Sequence, residues 1–278
     1  GITHVVRGNE YLASSPKYNL LYEAFGWEIP KYIHVEHIMK DKHNKLSKRN
    51  GDASFEDLIA KGYLSEAVIN YIALLGWAPK GEREIFSLSE LVEEFDISGL
   101  SKSPAIFDPL KLKAINAEYI RMMTPEKFLE HAGPYIRQSV HRTDVDLSKI
   151  AALLQNRTEV FTDIPDQVDF IDSMPDYDLS LYENKKMKTN RDTSLEVLKK
   201  ALPALEGLTE WNMDGLHECL FGLVAEMGVK NGYVLWPVRV AISGKQFTPG
   251  GALEIADIIG REDTLSRMRL SIDKLSKG

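Results

Sequence analysis

Tyr32-Ile33-His34-Val35-Glu36-His37-Ile38-Met39, followed shortly by Lys45-Leu46-Ser47-Lys48-Arg49, is the stretch whose reading decides the fold. Ile33, Val35 and Met39 fall on one face at a period of two, which predicts a strand over 32–39. Residues 2–6 are apolar and β-branched, the pattern of a strand buried on both faces. Between the two, Ser14-Ser15-Pro16 offers a cap and a first-turn proline for a helix running to about Phe25, where Gly26 stops it. Strand, helix and strand in this order form one parallel crossover unit, too small to close a sheet by itself. The sheet's other strands are expected upstream of Gly1, and the edge near residues 2–6 is expected to be unpaired.

The cationic pentapeptide that follows suits a polyphosphate. Transfer of an adenylyl or phosphoryl group concentrates negative charge on phosphorus and on the departing pyrophosphate, and ammonium groups placed there stabilise the transition state. Lys48 and Lys45 are compact charges on flexible stems, and Ser47 adds a hydroxyl, so these three are the candidate catalytic residues. A solvated surface loop is the competing reading. The chain as a whole carries a net charge of −7. Charge acts locally, however, and over 31–49 Lys31, Lys40, Lys42, Lys45, Lys48 and Arg49 face only Glu36 and Asp41.

Arg7 follows the first strand directly. The carboxyl end of a strand in an open α/β sheet is where ligands bind, and an arginine there can grip a carboxylate through two parallel hydrogen bonds. An ordinary surface ion pair is the alternative. Backbone groups near His37 and Ile38, at the end of the second strand, are placed to meet a base edge, whereas the His34 and His37 side chains read as packing or surface groups.

Composition narrows the class. A chain of 278 residues predicts more than one domain, and 27% charged with 44% hydrophobic residues is ordinary for a globular protein. The single cysteine, Cys219, rules out an internal disulfide framework and reads as a buried structural thiol beside Leu220 and Phe221. Nothing resembles a membrane-spanning apolar run, a zinc-type ligand spacing, a local nucleophile triad or a Gly-rich phosphate loop. The opening Gly1-Ile2-Thr3-His4 reads as the middle of a strand, so the sequence is expected to be cut from something longer.

Beyond the loop the pattern turns helical. Leu64, Ala67, Val68, Tyr71, Ile72 and Leu75 keep the 3.6-residue period up to Gly76. Ser87-x-x-Glu90 is a capping box before Leu88, Leu91, Val92 and Phe95, and Asp108-Pro109 opens a helix carrying Leu112, Ile115, Tyr119 and Met122. Further helices are expected over 125–132, 147–161, 192–205, 211–228, 251–259 and 262–275, with 164–178 as a connection.

These residues resemble a known family in order and spacing. His4-Val5-Val6-Arg7-Gly8, Ser15-Pro16, Leu21-Tyr22-x-Ala24-Phe25-Gly26-Trp27 and Lys45-Leu46-Ser47-Lys48-Arg49 are similar to bacterial glutamyl-tRNA synthetase. Asn70-Tyr71-x-Ala73-Leu74-Leu75-Gly76-Trp77, Ser101-Lys102-Ser103-Pro104, Asn116-x-x-Tyr119-Ile120-Arg121 and Pro237-Val238-Arg239-Val240-Ala241 extend the likeness. The resemblance implies a class I enzyme that condenses ATP with glutamate and passes the glutamyl group to tRNA(Glu). It makes Lys45, Leu46, Ser47, Lys48 and Arg49 the second class signature over the ATP phosphates. Ile38 and Glu10 join them as ATP-binding positions, and Arg7 becomes the glutamate contact. The family's usual Arg-Gly-Glu/Ala-Asp/Glu-His/Trp run here reads Arg7-Gly8-Asn9-Glu10-Tyr11.

The fold so implied is mixed α/β and α. Residues 1–40 are expected to be the second half of a Rossmann-like catalytic domain and 41–123 the signature loop with a mostly helical stem-contact domain. An all-α anticodon-binding domain would follow, in two parts over 124–178 and 179–278. ATP with Mg2+ is implied as substrate, with no tightly bound cofactor and no protein-held metal; the partners are tRNA(Glu) and glutamate, and the protein is expected to be a cytoplasmic monomer. The first class signature, a His-x-Gly-His-like element, does not occur in these residues, so the chain is expected to bind tRNA without forming the adenylate alone. Arg191, Arg239, Arg261, Arg267 and Arg269, with Trp211, Tyr233 and Trp236, have the chemistry to meet splayed bases, and a place in the core or on the solvated surface is the competing reading for each. A non-catalytic RNA-binding or interaction module is the alternative. The related glutamine enzyme would carry β-barrels where residues 125–278 read as helical.

Overall fold

The computed structural model describes residues 1–46 and 54–277. Ser47, Lys48 and Arg49 therefore lie outside the described residues. The chain divides into two compact units, Gly1–Met122 and Met123–Gly278.

In the first unit, β1 (His4–Gly8) runs parallel to β2 (Lys31–Val35), in register from His4 opposite Lys31 to Gly8 opposite Val35. Helix α1 (Ser15–Ala24) makes the crossover. It ends where Gly26 takes a φ of 65°, a left-handed turn that glycine adopts without a Cβ penalty and that lets the Trp27 N–H reach Tyr22 O at 2.8 Å.

Two local expectations need correction here. Ser14 does not cap α1, because a 3-10 helix over Asn9–Ser14 feeds straight into it and Ser14 is already in a helical conformation. The strand expected over 32–39 is broken. Ile38–Met39 (β3) leaves the line of β2 and pairs in parallel with Ala105–Ile106 (β4). At the break, Glu36 and His37 turn to Asn9 and Glu10 beyond the end of β1, and the Phe107 N–H then binds Met39 O at 2.8 Å. A two-residue strand has no periodicity for sequence reading to detect.

The rest of this unit is helical: α2 (Phe55–Ala60), α3 (Ser65–Gly76), α4 (Leu88–Glu94) and α5 (Pro109–Arg121). Ala67, Val68 and Tyr71 of α3 are buried, as are Leu112, Ile115 and Ile120 of α5. The Ser87–Glu90 capping box forms as expected. The apolar stripe behind it does not bury: only Leu91 goes under, while Leu88, Val92 and Phe95 stay exposed. A seven-residue helix presents two turns, and its packing face is used up by Leu91 against Trp77 and Phe86. Ile72 and Met122 are likewise exposed.

The second unit consists of α6 (Pro125–Ile136), α7 (Leu147–Leu154), α8 (Ile164–Val168), α9 (Arg191–Glu206), α10 (Met213–Glu226), α11 (Asn231–Ser243), α12 (Ala252–Ile259) and α13 (Arg261–Lys277). Among its described residues the only β-type pairing is an isolated bridge between Asn184 and Thr189. No β-barrel of the kind the glutamine branch would need is present there.

The helix expected over 147–161 stops at Leu154. The Arg157 N–H, the Thr158 N–H and the Thr158 hydroxyl all converge on Leu154 O at 2.8–2.9 Å and turn the chain away. Helix α6 continues past 132 through Pro134, and the supposed connection over 164–178 contains α8. Helix α11 has no counterpart among the expected helices. Gly232 and Pro237 weaken its local signal, and burial of Val234, Val238, Ala241 and Ile242 overrides them. Cys219 is half-buried, and burial pushes its thiol pKa up, as fits a structural rather than a reactive sulfur. No described helix is long and apolar enough to cross a membrane.

Candidate functional site

The carboxyl ends of β1 and β2 bring Arg7 to His34, and Asn9 and Glu10 to Glu36 and His37, whereas Lys45 and Leu46 stand beside Met39 and Ile38. Arg7 stands on β1 opposite His34 on β2. Its Nε donates to His34 Nε2 at 3.3 Å, and its Nη2 donates to Ser15 Oγ at 2.6 Å. The guanidinium carbon lies 4.9, 5.3 and 5.5 Å from the ring centroids of Tyr32, Tyr18 and Tyr11. Among the described residues no carboxylate pairs with it, so the surface ion pair is not what this arginine makes.

Beside it, Asn9 donates to Glu36, and Glu10 lies 3.6 Å from His37 Nε2. The Ile38 carbonyl is taken by the Leu46 N–H at 3.0 Å, and Met39 forms a bridge with Lys45. Between them, Asp41 accepts from the Asn44 side-chain amide and from the His43 and Asn44 backbone N–H groups, and these hydrogen bonds, the side-chain one first, hold its carboxyl pKa below the usual value. The chain entering the cationic loop is thus pinned by backbone pairing. Lys45 itself is exposed, next to β3.

Other positions that carry the family likeness are structural. Asn116 Oδ1 accepts from Leu64 N–H at 2.9 Å, and Asn70 Oδ1 accepts from Phe86 N–H at 2.6 Å. Tyr119 donates to that same Asn70 oxygen at 2.9 Å, and Tyr71 Oη receives the Asp108 N–H at 2.6 Å.

The second unit separates the arginines and aromatics by role. Arg267 is buried and donates to the carbonyls of Phe170, Ile171 and Ile242. Arg261 donates to Glu206 O and Leu208 O, the free carbonyls at the end of α9, while Arg269 and Arg191 pair with Glu206 and Glu183. Trp211 donates to Ala256 O. Those five groups serve the fold.

Arg239 differs. It lies over the Trp236 ring at 4.5 Å and holds the following loop through Thr248 Oγ1 at 2.8 Å and Gln246 O at 2.7 Å. Burial, and secondly the charge of Arg157, lower its pKa. Arg157 was not singled out by sequence reading; no motif marks it, and only the folded chain brings it near Arg239. Trp236 and Arg239 line a cavity of about 630 Å³ with His217, Phe221 and the largely exposed Phe247. Arg157 lines a second, of about 490 Å³, on the other side of Phe247. Tyr233 opens onto a third, of about 810 Å³, ringed by Lys186, Lys188 and Lys230. Cationic and aromatic groups around open concavities suit RNA, whose phosphates and unstacked bases need both.

Known proteins bear on this arrangement. Residues 1–114 match the family described as tRNA synthetases class I (E and Q), catalytic domain, and residues 127–272 match the anticodon binding domain family. Glutamate-tRNA ligase of Clostridium acetobutylicum is 56% identical over 277 residues, covering 100% of this chain and 57% of its own length. That of Clostridium tetani is 58% identical over 275 residues, covering 99% and 56%. A solved glutamate tRNA ligase from Elizabethkingia meningosepticum, in complex with its amino acid, superposes with a TM-score of 0.85 at 30% identity, over 99% of this chain and 57% of that one. The chain thus spans somewhat more than half the length of the relatives it matches. With parallel strands in one unit and an all-helical second unit, the chain belongs to the anticodon binding domain family over residues 127–272, preceded by a segment that matches the class I (E and Q) tRNA synthetase catalytic domain over residues 1–114.

Proposed function

We propose that the protein carrying this chain is a glutamate-tRNA ligase. It would join glutamate to the adenylyl group of ATP, supplied with Mg2+, with release of pyrophosphate, and pass the glutamyl group from that adenylate to tRNA(Glu) with release of AMP, as a cytoplasmic monomer with no tightly bound cofactor. The observation that carries this reading is Arg7: a guanidinium at the carboxyl end of β1, framed by tyrosines and paired with no carboxylate among the described residues. An arginine kept in that state is suited to a substrate carboxylate.

In the same reading, Lys48, Lys45 and Ser47 act on the phosphates, with Leu46, Arg49, Ile38 and Glu10 completing the nucleotide contacts. Residues 1–40 contribute part of the catalytic domain, 41–123 the loop and stem contacts, and 124–178 with 179–278 the anticodon-binding parts. Arg239, Arg157, Trp236, Phe247 and Tyr233 supply the cationic and aromatic surface that single-stranded RNA requires.

The test is charging of tRNA by the full-length protein, with labelled glutamate and, separately, labelled glutamine. Attachment of glutamate to tRNA(Glu) is expected. Attachment of glutamine alone, or of neither, contradicts the reading. In the same assay Lys48→Ala should slow charging by roughly two orders of magnitude, the scale of one lost transition-state donor, with tRNA affinity retained. Equal loss of both would make the loop a tRNA contact.

A further inference from the structure

The setting of Arg7 holds more than the arginine. A guanidinium carries five N–H donors on a long side chain with several rotatable bonds, and a two-pronged grip works only if its plane is held at one angle. Two of those donors are committed, Nε to His34 and Nη2 to Ser15. Ser15 is itself fixed: its hydroxyl lies 3.2 Å from Tyr11 O, to which it donates, so its lone pairs are left to face Arg7. For His34 Nε2 to accept from Arg7, its proton must sit on Nδ1. Around this pair, Tyr32, Tyr18 and Tyr11 each present a ring within 6 Å of the guanidinium carbon.

These groups come from four places in the chain: β1, the 3-10 turn after it, the first turn of α1, and β2. The 3-10 turn over Asn9–Ser14 is what lets them meet. Because the chain enters α1 from a 3-10 turn, Ser15 is left one turn from Tyr11 and points back to β1 instead of serving as a helix cap.

We propose that Ser15 and His34 are positioning residues for Arg7, and that the rings of Tyr11, Tyr18 and Tyr32 complete a cage that fixes the guanidinium for the carboxylate of the amino-acid substrate. This rests on the reading of Arg7 as the glutamate contact. An arginine already oriented loses less freedom on binding, so the cage strengthens amino-acid binding without touching the reacting atoms. Ground state and transition state then benefit equally, and the effect falls on KM rather than kcat.

The experiment is steady-state charging of tRNA by the full-length protein and its variants, with KM for glutamate, KM for ATP and kcat measured for each. Arg7→Ala comes first: an unchanged glutamate KM removes the reading on which the cage rests. If Arg7→Ala raises it, Ser15→Ala, His34→Leu and Tyr18→Leu are each expected to raise glutamate KM about tenfold, the scale of one charge-assisted hydrogen bond or cation-ring contact. ATP KM and kcat should hold, and Ser15→Thr and Tyr18→Phe, which keep the hydroxyl and the ring, should restore glutamate KM. A glutamate KM unmoved by all three cage variants overturns the inference while leaving Arg7 in place. So does a loss of kcat and ATP affinity in step with it, which a general disturbance of the sheet would produce.

Discussion

Arg267 brings a charge into the second unit's interior, where three carbonyls from two separate segments, at Phe170, Ile171 and Ile242, receive its N–H groups. Burial lowers its pKa, yet an arginine keeps its charge, so the carbonyls are held by a cation throughout the accessible pH range. Arg267→Leu removes every one of those donors at once and should destabilise this unit by about 3–5 kcal/mol, read from urea unfolding. A loss under about 1 kcal/mol would mean that water or another donor replaces it. Asn116→Ala should cost about 1–3 kcal/mol in the first unit, because the Leu64 N–H is left buried without its acceptor. These residues also show what a sequence conveys and what it withholds. Arg7 was legible from its place after a strand, and its lack of a carboxylate partner among the described residues was not. Asn116 and Tyr119 were legible as part of a family pattern, but that they bond inward rather than to a ligand follows only from the packing. Arg267 and Arg239 look alike in sequence. One is sealed among carbonyls and the other lies along Trp236 at a cavity wall.

Among the elements, α4 shows how far a local signal reaches. Its capping box was legible as Ser87-x-x-Glu90, because a cap is made within four residues. Its burial was not, since whether Val92 and Phe95 are covered depends on segments remote in sequence, and both stay exposed. Helix α11 is the converse case: Pro237 and Gly232 hide a helix that tertiary burial supports. Glu90 is held down to about 2 from 4.5, first by the hydrogen bond from Arg83 and then by those from Ser87. A depressed carboxyl stabilises the folded state above its unfolded pKa and loses that contribution as pH falls through the folded one. Glu90→Gln should therefore lower the melting temperature at pH 7, and the gap to the parent should close as pH drops from about 4.5 to about 2. A gap that persists at the acid end would assign the effect to the cap's shape rather than to its charge.

At the scale of the whole molecule, a net charge of −7 coexists with cations gathered at the cavities of the second unit, Lys186, Lys188 and Lys230 at one and Arg157 and Arg239 near two others. Binding of tRNA by the 278-residue chain should weaken steeply with salt, with a log-log slope of about −3 if about four phosphates are engaged. A flat salt dependence would point away from a phosphate-led interface. The proposed division of labour between the units, substrate carboxylate in the first and unstacked anticodon bases in the second, is tested most directly by comparing Arg7→Ala with Arg239→Ala in the full-length protein, measuring KM for glutamate and for tRNA(Glu) in one charging assay. Arg7→Ala is predicted to raise glutamate KM and leave tRNA KM alone. Arg239→Ala is predicted to raise tRNA KM by a factor corresponding to about 1–3 kcal/mol and leave glutamate KM alone. Both variants shifting both constants together, or the two defects exchanged, would contradict the account.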